Sequence, residues 1–384
     1  MKVGIMTWHG GDNYGTNLQS FALQWYLRRS MQVDAEIIDY QSKASDYIPK
    51  SINYICDNLP ARLSVKIKRV KQKKEAESFF EMYKDDYAIR RKKTEDFLKL
   101  IQVSQPYSSD TIAESNRLYD AFITGSDQIW NPGSINPLYY LSFVLDHTRI
   151  AYAPSLGTSY IPEYYYNTYK QLLKHFDYVS TRELGSARML SEITGKQVEH
   201  VLDPVFLLSS TDWRELEERP DYITQQKYVL CYFISKNDLC YKYAERIARQ
   251  HNLEIISLVT GNDAGYEIAG AKIDATSGPR EFLWLVDHAS MILTNSFHCT
   301  AFSIIFQKNF HAFTGGSSFK ATNSDHRMID LLWNCGLIDR FKDFKGKGNK
   351  PNPIDWERIK YRLQNKIEFS KKFLEGALEN DRNL

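Results

Sequence analysis

The chain has 384 residues, of which 43% are hydrophobic and 25% are charged, and its formal net charge is +2. This length and apolar content predict a folded protein of two domains with sizeable cores. The near balance of charge argues against a dedicated nucleic-acid-binding protein, which would carry a strongly basic face. No stretch approaches the run of about 18 apolar residues that spans a bilayer. Any membrane contact is therefore expected to be peripheral.

The cysteines and the N-terminus indicate a cytoplasmic protein. The five cysteines have neither CxxC spacing nor a histidine at zinc-ligand spacing. We therefore expect them to be reduced thiols. The apolar stretch at the N-terminus is too short for a signal peptide. The sequence contains no HExxH motif and no Asp-x-Asp beside a predicted strand end. We therefore expect neither a metal nor a cofactor.

Short β-rich runs alternate with helix-like stretches along the whole chain. The predicted strands of the first half lie near residues 3–7, 35–39, 121–124, 149–153, 178–180 and 198–202. Those of the second half lie near residues 228–233, 254–259, 271–274, 291–294 and 309–313. This alternation is typical of parallel sheets with crossover helices. It predicts an α/β protein of two Rossmann-like domains that face each other across a cleft.

The predicted domains are residues 1–208 and residues 209–350, joined by a turn-containing linker at residues 203–213. Residues 358–379 are rich in helix formers and contain one glycine and no proline. We expect residues 351–384 to form a long terminal helix that packs back across the domain junction.

A basic insertion at about residues 52–94 interrupts the first domain. Residues 62–74 include seven basic and no acidic residues, and Arg90, Arg91, Lys92 and Lys93 follow. A basic run on a helix is usually a solvated face. The alternative is a surface that docks on an anionic membrane or a pyrophosphate-linked lipid, which would place the protein at the inner face of the membrane.

The most informative segment is the turn Ser296-Phe297-His298, which joins a predicted strand to a helix-like run. The N-terminus of a helix leaves unpaired N–H groups that attract anions. An imidazole beside such a pocket can donate a proton to a leaving group. His298 is therefore our candidate catalytic residue, with Asn295 and Ser296 in the same anion-binding turn.

Three further segments place polar groups at strand ends or helix starts. The first runs from Trp8 to Gln19, the second from Gly125 to Asn131, and the third is Ser180-Thr181-Arg182-Glu183. Polar residues beyond the carboxyl ends of parallel strands are where open α/β sheets bind ligands. The guanidinium of Arg182 suits bidentate capture of a carboxylate or phosphate.

Taken in order, these segments resemble the polysaccharide pyruvyl transferase family. The matching pieces are Asn13-Tyr14-Gly15 with Leu18-Gln19, residues 125–131, residues 152–157, residues 180–183, residues 202–204 and residues 296–298. The resemblance implies a GT-B-like fold and transfer of a pyruvyl group from phosphoenolpyruvate to a sugar of a cell-surface polysaccharide or its precursor. Phosphoenolpyruvate is then a co-substrate, and the acceptor is a free or lipid-linked sugar.

This reaction assigns roles to the candidate residues. His298 would stabilise or protonate the departing phosphate, and Asp127 would accept the proton of the attacking hydroxyl. The alternative interpretation of Asp127 is that its carboxylate only caps its loop. The alternative interpretation of Arg182 is that it pairs with Glu183 or Asp203. The substrate-binding candidates are Arg182, Ser296, Asn295, Arg188, Asn13, Tyr14, Asn17, Gln128 and Trp130. Trp130 would stack on a sugar ring unless it belongs to the core.

One position departs from the family pattern, because Cys299 stands where relatives commonly have glycine. We expect a larger residue there to narrow the pocket beside His298. Two other functions use the same scaffold. One is a GT-B glycosyltransferase that uses a nucleotide sugar, and the other is a catalytically silent glycan-binding protein.

Overall fold

A computed structural model describes residues 1–57, 77, 79–223, 227–235, 238–259, 268–314, 325–342 and 353–382 of the chain. These residues form two parallel sheets with helices packed on them. The architecture is the α/β fold of two Rossmann-like domains that the alternation predicts. Below, the N-terminal half means the first sheet with its helices, and the C-terminal half means the second.

The first sheet has seven strands. They are β1 Lys2–Met6, β2 Asp34–Tyr40, β3 Val103–Tyr107, β4 Ala121–Thr124, β5 Thr148–Ala151, β6 Tyr178–Thr181 and β7 Glu199–His200. Their order across the sheet is β3-β2-β1-β4-β5-β6-β7, and every neighbouring pair is parallel. Every residue of β4 is buried, as expected for a central strand covered on both faces.

The second sheet has six strands. They are β8 Tyr228–Tyr232, β9 Glu254–Leu258, β10 Ala271–Asp274, β11 Met291–Thr294, β12 Phe310–Phe313 and β13 Phe341–Lys342. Their order is β10-β9-β8-β11-β12-β13, again parallel throughout. The strand order reverses between β1 and β4 in the first sheet and between β8 and β11 in the second. Ligands of open α/β sheets bind at such switch points, beyond the carboxyl ends of the strands.

Ten α-helices are described. They are α1 Tyr14–Trp25, α2 Lys84–Leu98, α3 Tyr166–Leu173, α4 Leu184–Thr194, α5 Ser210–Arg214, α6 Asp238–His251, α7 Pro279–His288, α8 Phe297–Ile305, α9 His326–Cys335 and α10 Trp356–Arg382. A π-helical turn, Tyr26–Ser30, continues α1. Asn13 caps α1, because its Oδ1 accepts a hydrogen bond from the Thr16 amide at 3.2 Å. None of the described helices has the length and apolar character needed to cross a bilayer.

The terminal helix α10 contacts both halves. Ser370 Oγ accepts a hydrogen bond from the Leu202 amide at 2.9 Å, and Glu375 accepts one from the Tyr26 hydroxyl at 3.1 Å. Gly336, which follows α9, lies against Arg362. Leu374 is fully buried in the main core. The long terminal helix is thus present and holds the two halves together.

Helix α2, at the end of the basic insertion, docks on the C-terminal half. The Arg90 guanidinium is buried, donates to the carbonyls of Val259 and Asp12, and lies 4.3 Å from the centre of the Tyr14 ring. Lys93 forms an ion pair with Glu281. This end of the insertion is therefore not merely a solvated face. The basic run at residues 62–74 lies outside the described residues.

Each of the eleven predicted strands is confirmed, and two further strands were not predicted. Strand β3 carries Pro106 and has mostly polar or exposed residues, as edge strands often do. Strand β13 has only two residues. Neither presents the apolar run by which a central strand is recognised.

Candidate active site

Charged side chains from both halves meet at the carboxyl ends of the strands. Arg182 and Glu183 follow β6, Asp203 follows β7, and His298 follows β11. Their side chains are 2%, 3%, 0% and 10% exposed, respectively. We call these four residues the junction cluster. Because buried charges are stable only when they are paired or hydrogen-bonded, their contacts define what the cluster can do.

Asp203 lies at the centre of the junction cluster. Its Oδ2 atom accepts hydrogen bonds from Arg182 Nη1 at 2.7 Å and from Ser126 Oγ at 3.1 Å. The same oxygen lies 3.6 Å from His298 Nε2. Burial raises the pKa of this carboxyl, but the nearby charges of His298 and Arg182 outweigh burial and hold the pKa well below its usual range. Asp203 is therefore an anion at neutral pH.

Arg182 is paired and still has an N–H group to offer. Its Nε donates to Glu183 Oε1 at 3.1 Å, so both carboxylate partners considered from the sequence are present. Its guanidinium lies 4.2 Å from the centre of the Phe297 ring. Among the described residues, its Nη2 atom is buried and has no hydrogen-bond partner. An unpaired buried N–H of a guanidinium is suited to an anionic ligand.

His298 stands in the first turn of α8 because Ser296 begins that helix. Ser296 Oγ accepts from the Cys299 amide at 3.4 Å, and the Ser296 amide donates to Thr294 Oγ1 at 3.0 Å. A Cβ atom on Gly15 would overlap the imidazole ring. Only glycine at position 15 lets α1 approach His298 this closely. His298 Nε2 is buried without a hydrogen-bond partner in the described part of the chain.

Asp127 lies beside α1, in the loop after β4. It has a positive φ of 67°. Its Oδ2 accepts from Thr16 Oγ1 at 2.8 Å, and its Oδ1 accepts from the Gln128 amide at 2.8 Å. The carboxylate thus makes the loop contacts that the alternative interpretation predicts. Thr16, which donates to Asp127, directly follows Gly15 in α1. Asp127 is therefore linked through Thr16 to the glycine that lies against His298.

A second arginine, Arg327, stands in the first turn of α9 and interacts electrostatically with Arg182 and Glu183 of the junction cluster. This helix begins against the start of α4, because Asp330 accepts a hydrogen bond from the Leu184 amide at 3.1 Å. Burial and the positive charge of Arg182 lower the pKa of Arg327, while Glu183 acts in the opposite direction. Two guanidinium groups that repel each other across a buried site are suited to share an anion.

Tyr14 joins the two halves. Its hydroxyl donates to the Ser277 carbonyl at 2.5 Å, and its ring stacks on Phe282 at 4.7 Å. The ring is almost fully buried. These contacts assign Tyr14 to the interface between the halves. Asn17 is also buried, donates from Nδ2 to the Gly11 carbonyl at 3.0 Å, and has an Oδ1 atom that no described residue hydrogen-bonds.

Three of the predicted substrate-binding residues have side chains that are engaged elsewhere and are not part of the junction cluster. Trp130 is 0% exposed, stacks on Tyr140 at 4.9 Å and donates from its indole to the Tyr139 carbonyl, so no sugar can stack on it here. Arg188 is exposed and lines a separate cavity of 490 Å³. The side-chain amide of Asn295 holds the backbone of residues 234 and 235.

The last two positions singled out in the sequence, Gln128 and Cys299, both pack against other parts of the protein. Gln128 is half-buried, with its side-chain amide against Gly157, whose φ is 65°. Cys299 is fully buried in the main core, and burial raises its pKa to about 12. The structure thus places Cys299 in the core and not on a wall of the cleft. The expected narrowing of the pocket does not occur.

Sequence reasoning missed the central position of Asp203 and the support that Ser126 gives it. Asp203 was interpreted as part of a linker and as a rival partner of Arg182. It directly follows the predicted strand at residues 198–202, so the rule that drew attention to Arg182 applies equally to Asp203. Ser126 stands at the corresponding position after β4.

Of the described residues, one group has the composition of a metal site. Glu217, Asp287 and His288 offer ligand atoms within 4.8 Å of one another. However, Arg214 donates to both oxygens of Asp287, at 2.7 and 3.1 Å. A guanidinium in this position competes with a cation for the carboxylate. We call Arg214, Glu217, Asp287 and His288 the surface cluster.

Comparisons with solved structures bear on the fold. A putative UDP-N-acetylglucosamine 2-epimerase from Listeria monocytogenes has a TM-score of 0.51 and 9% identity, over 97% of this chain and 90% of that chain. This likeness shows the fold, which is GT-B-like. The UDP-GlcNAc 2-epimerase from Methanocaldococcus jannaschii has a TM-score of 0.47 and 12% identity, over 95% and 100% of the two chains. A glycosyltransferase from Streptomyces nogalater has a TM-score of 0.43 and 11% identity, over 98% and 99%.

No curated protein matches the sequence of this chain. The family model described as polysaccharide pyruvyl transferase matches residues 13–317, which include the junction cluster and Asp127. This match covers well over half of the chain. The chain therefore belongs to the polysaccharide pyruvyl transferase family.

Proposed function

We propose that the protein transfers a pyruvyl group from phosphoenolpyruvate to a sugar of a cell-surface polysaccharide or its precursor, with release of phosphate. One observation carries the proposal beyond family membership. Arg182 Nη2 and His298 Nε2 are buried and make no hydrogen bond among the described residues, and both side chains contact the carboxylate of Asp203. Unpaired N–H groups of this kind suit a small anion that is excluded from water.

The donor explains why the site needs both a guanidinium and an acid. Phosphoenolpyruvate carries a carboxylate and a phosphate, which Arg182 and Arg327 would bind. Its C3 carbon gains a proton, which is balanced by the proton that the attacking sugar hydroxyl loses to Asp127, and the hydroxyl forms a bond to the cationic C2. The C2–O bond to phosphate breaks, the electron pair leaves with the phosphate, and the phosphate takes a proton from His298. A second hydroxyl then closes the cyclic ketal and gives up the proton that restores His298.

Each role falls to a residue beside the junction cluster. His298 protonates the departing phosphate, which is general acid catalysis. Asp127 accepts the proton of the attacking hydroxyl. The hydrogen bonds that its carboxylate accepts from the Thr16 hydroxyl and the Gln128 amide fix its orientation. Asn17, with an Oδ1 atom unpaired within the described residues, faces the acceptor sugar from α1. We place the reaction in the cytoplasm, with the acceptor free or lipid-linked.

The test is phosphate release from phosphoenolpyruvate by the purified protein, with and without a panel of nucleotide-linked and lipid-linked sugars. We expect release that depends on one acceptor, and a product heavier than that acceptor by the mass of pyruvic acid less one water. Release without any acceptor would indicate a contaminating phosphatase, which the His298→Ala protein prepared in parallel identifies.

The same assay separates the proposal from its alternatives. If no acceptor supports release and calorimetry finds no binding of phosphoenolpyruvate, the donor is wrong. Hydrolysis or transfer from a nucleotide sugar in that case would establish a GT-B glycosyltransferase. Binding of a glycan without any turnover would establish a silent relative.

A further inference from the structure

We propose that Asp203 is the positioning residue of this site: from the opposite half of the molecule, its carboxylate orients the His298 imidazole and supplies the counter-charge whenever that ring carries a proton. The inference deepens the proposed function, because a general acid must carry its proton before the reaction begins. Its first test below does not depend on turnover. The failure of one proposal can therefore be distinguished from the failure of the other.

The carboxylate of Asp203 is fixed on every side. Its Oδ1 atom accepts from the Val205 amide at 3.2 Å, in the turn that follows β7. Its Oδ2 atom accepts from Arg182 and Ser126. A fully buried side chain with these three donors cannot rotate away from His298 without losing charge-assisted hydrogen bonds. The 3.6 Å separation from His298 Nε2 is thus built into the N-terminal half.

The elements packed around His298 leave Asp203 as the decisive negative charge. Neither α1, which touches the ring through Gly15, nor α8 carries any Asp, Glu, Lys or Arg. The start of α9 brings Asp325, His326 and Arg327. On the other side stand Arg182, Glu183 and Asp127, which act on one another electrostatically. The two arginines oppose a positive imidazole, and within the described residues Asp203 is the carboxylate within 4 Å of it.

Glu183 provides a matched control for Asp203. Both are buried carboxylates, and both accept a hydrogen bond from the Arg182 guanidinium. Only Asp203 also faces His298. Removing the charge of either residue therefore disturbs Arg182 in a similar way, but only removal at position 203 takes the counter-charge from the imidazole. A purely structural role for Asp203 predicts the same result for both variants.

The first experiment is an NMR pH titration of protein labelled at histidine, with the His298→Gln spectrum used to assign the His298 signal. We compare the wild type with Asp203→Asn and Glu183→Gln. An opposite charge within about 4–6 Å favours the protonated imidazole by one pH unit or more. We therefore expect the His298 signal to lose its proton about one pH unit lower in Asp203→Asn. In Glu183→Gln it should stay close to the wild-type position.

The second experiment follows the alkaline limb of kcat for phosphate release, which should move to lower pH in Asp203→Asn together with the NMR signal. Equal displacement in Asp203→Asn and Glu183→Gln, or no displacement in Asp203→Asn, would overturn the inference. If Asp203→Asn fails to fold by circular dichroism, Asp203→Glu keeps the charge and should retain the wild-type titration. A large displacement in Asp203→Glu would also count against the assignment. An NMR displacement in a protein that never turns over phosphoenolpyruvate would leave the inference standing and the proposed function refuted.

Discussion

The junction cluster and the surface cluster contain the same four residue types, one each of Arg, Glu, Asp and His. Their surroundings differ. The side chains of the junction cluster are at most 10% exposed, whereas those of Arg214 and His288 in the surface cluster are 48% and 44% exposed. The junction cluster draws its members from both halves of the molecule. The surface cluster lies wholly at α5, α7 and the residues just after α5.

Burial and partner geometry give the two clusters opposite acid–base behaviour. In the junction cluster the charges of His298 and Arg182 overcome the effect of burial and depress the pKa of Asp203. In the surface cluster, burial and the neighbouring Asp287 raise the pKa of Glu217 to about 8. The first arrangement favours the ionised form of its central carboxyl, and the second favours the protonated form of Glu217. Composition alone therefore does not identify a catalytic site; the position of each charge does.

Removing the imidazole from each cluster should give the largest contrast. His298→Ala loses the proposed general acid, which is typically worth about 10²–10⁴-fold in rate. His288→Ala removes a half-exposed side chain and should leave the rate within about twofold. The measurement is kcat for acceptor-dependent phosphate release. Similar losses in the two variants would show that the junction cluster has no special part in the reaction.

Exchanging each arginine for lysine tests the anion clamp. Arg182→Lys keeps the charge but loses the planar fork that holds Asp203, Glu183 and the ligand at once. We expect KM for phosphoenolpyruvate to rise by about tenfold or more, equivalent to about 1.4 kcal/mol. Arg214→Lys changes an ion pair whose arginine side chain is 48% exposed, and it should alter stability by less than about 1 kcal/mol. Unchanged KM in Arg182→Lys would exclude this arginine from donor binding.

Adding one methyl group at a helical glycine tests the contact between the halves. Gly15→Ala places a Cβ atom against the His298 ring, so either α1 or the imidazole must move. Misplacement of a reacting group by about 1 Å can cost up to about 10²-fold, and we expect kcat to fall by at least about tenfold. Gly376→Ala is the control, because a Cβ there meets no described atom within 4 Å. It should be neutral for activity or stabilise the protein slightly.

The smallest expected effects are opposite slopes of stability with pH. The raised pKa of Glu217 gives the folded state an extra proton, so its contribution is present below the unfolded value near 4.5 and is lost as pH rises through about 8. The depressed pKa of Asp203 acts in reverse: its contribution is present above the unfolded value and is lost as pH falls toward the folded one. Thermal unfolding of Glu217→Gln should lose the decline between about pH 5 and 8. A decline unchanged from the wild type would contradict the assignment to Glu217.

Periodic signals predicted the fold well. Central strands such as β4 are continuous apolar runs, and α10 lacks breakers over most of its length, so both are visible in the sequence. Strand β3 and the two-residue strand β13 are defined by their neighbours in the sheet, and nothing in their own sequence marks them. Local pattern therefore identified the elements that form the core and missed those that tertiary context creates.

Site residues could be predicted only where a charged or titratable side chain follows a predicted strand. That rule found Arg182 and His298. It failed for Trp130, because a tryptophan beyond a strand end can turn back into the core as easily as toward a ligand. It failed for Arg188, which lies further along α4, is exposed and lines a separate cavity. The pairing of His298 with Asp203 joins residues 95 positions apart, and no local pattern records such a contact.

The close approach of Gly15 and Asp203 to His298 also links chemistry to the timing of turnover. His298 belongs to one half of the molecule, whereas Gly15, Asp203 and Arg182 belong to the other. Any movement that separates the two halves must therefore separate His298 from Asp203 and from Arg182 at the same moment. Under the proposed function, an open molecule would be unable to decompose its donor, and phosphoenolpyruvate would react only when the two halves have come together.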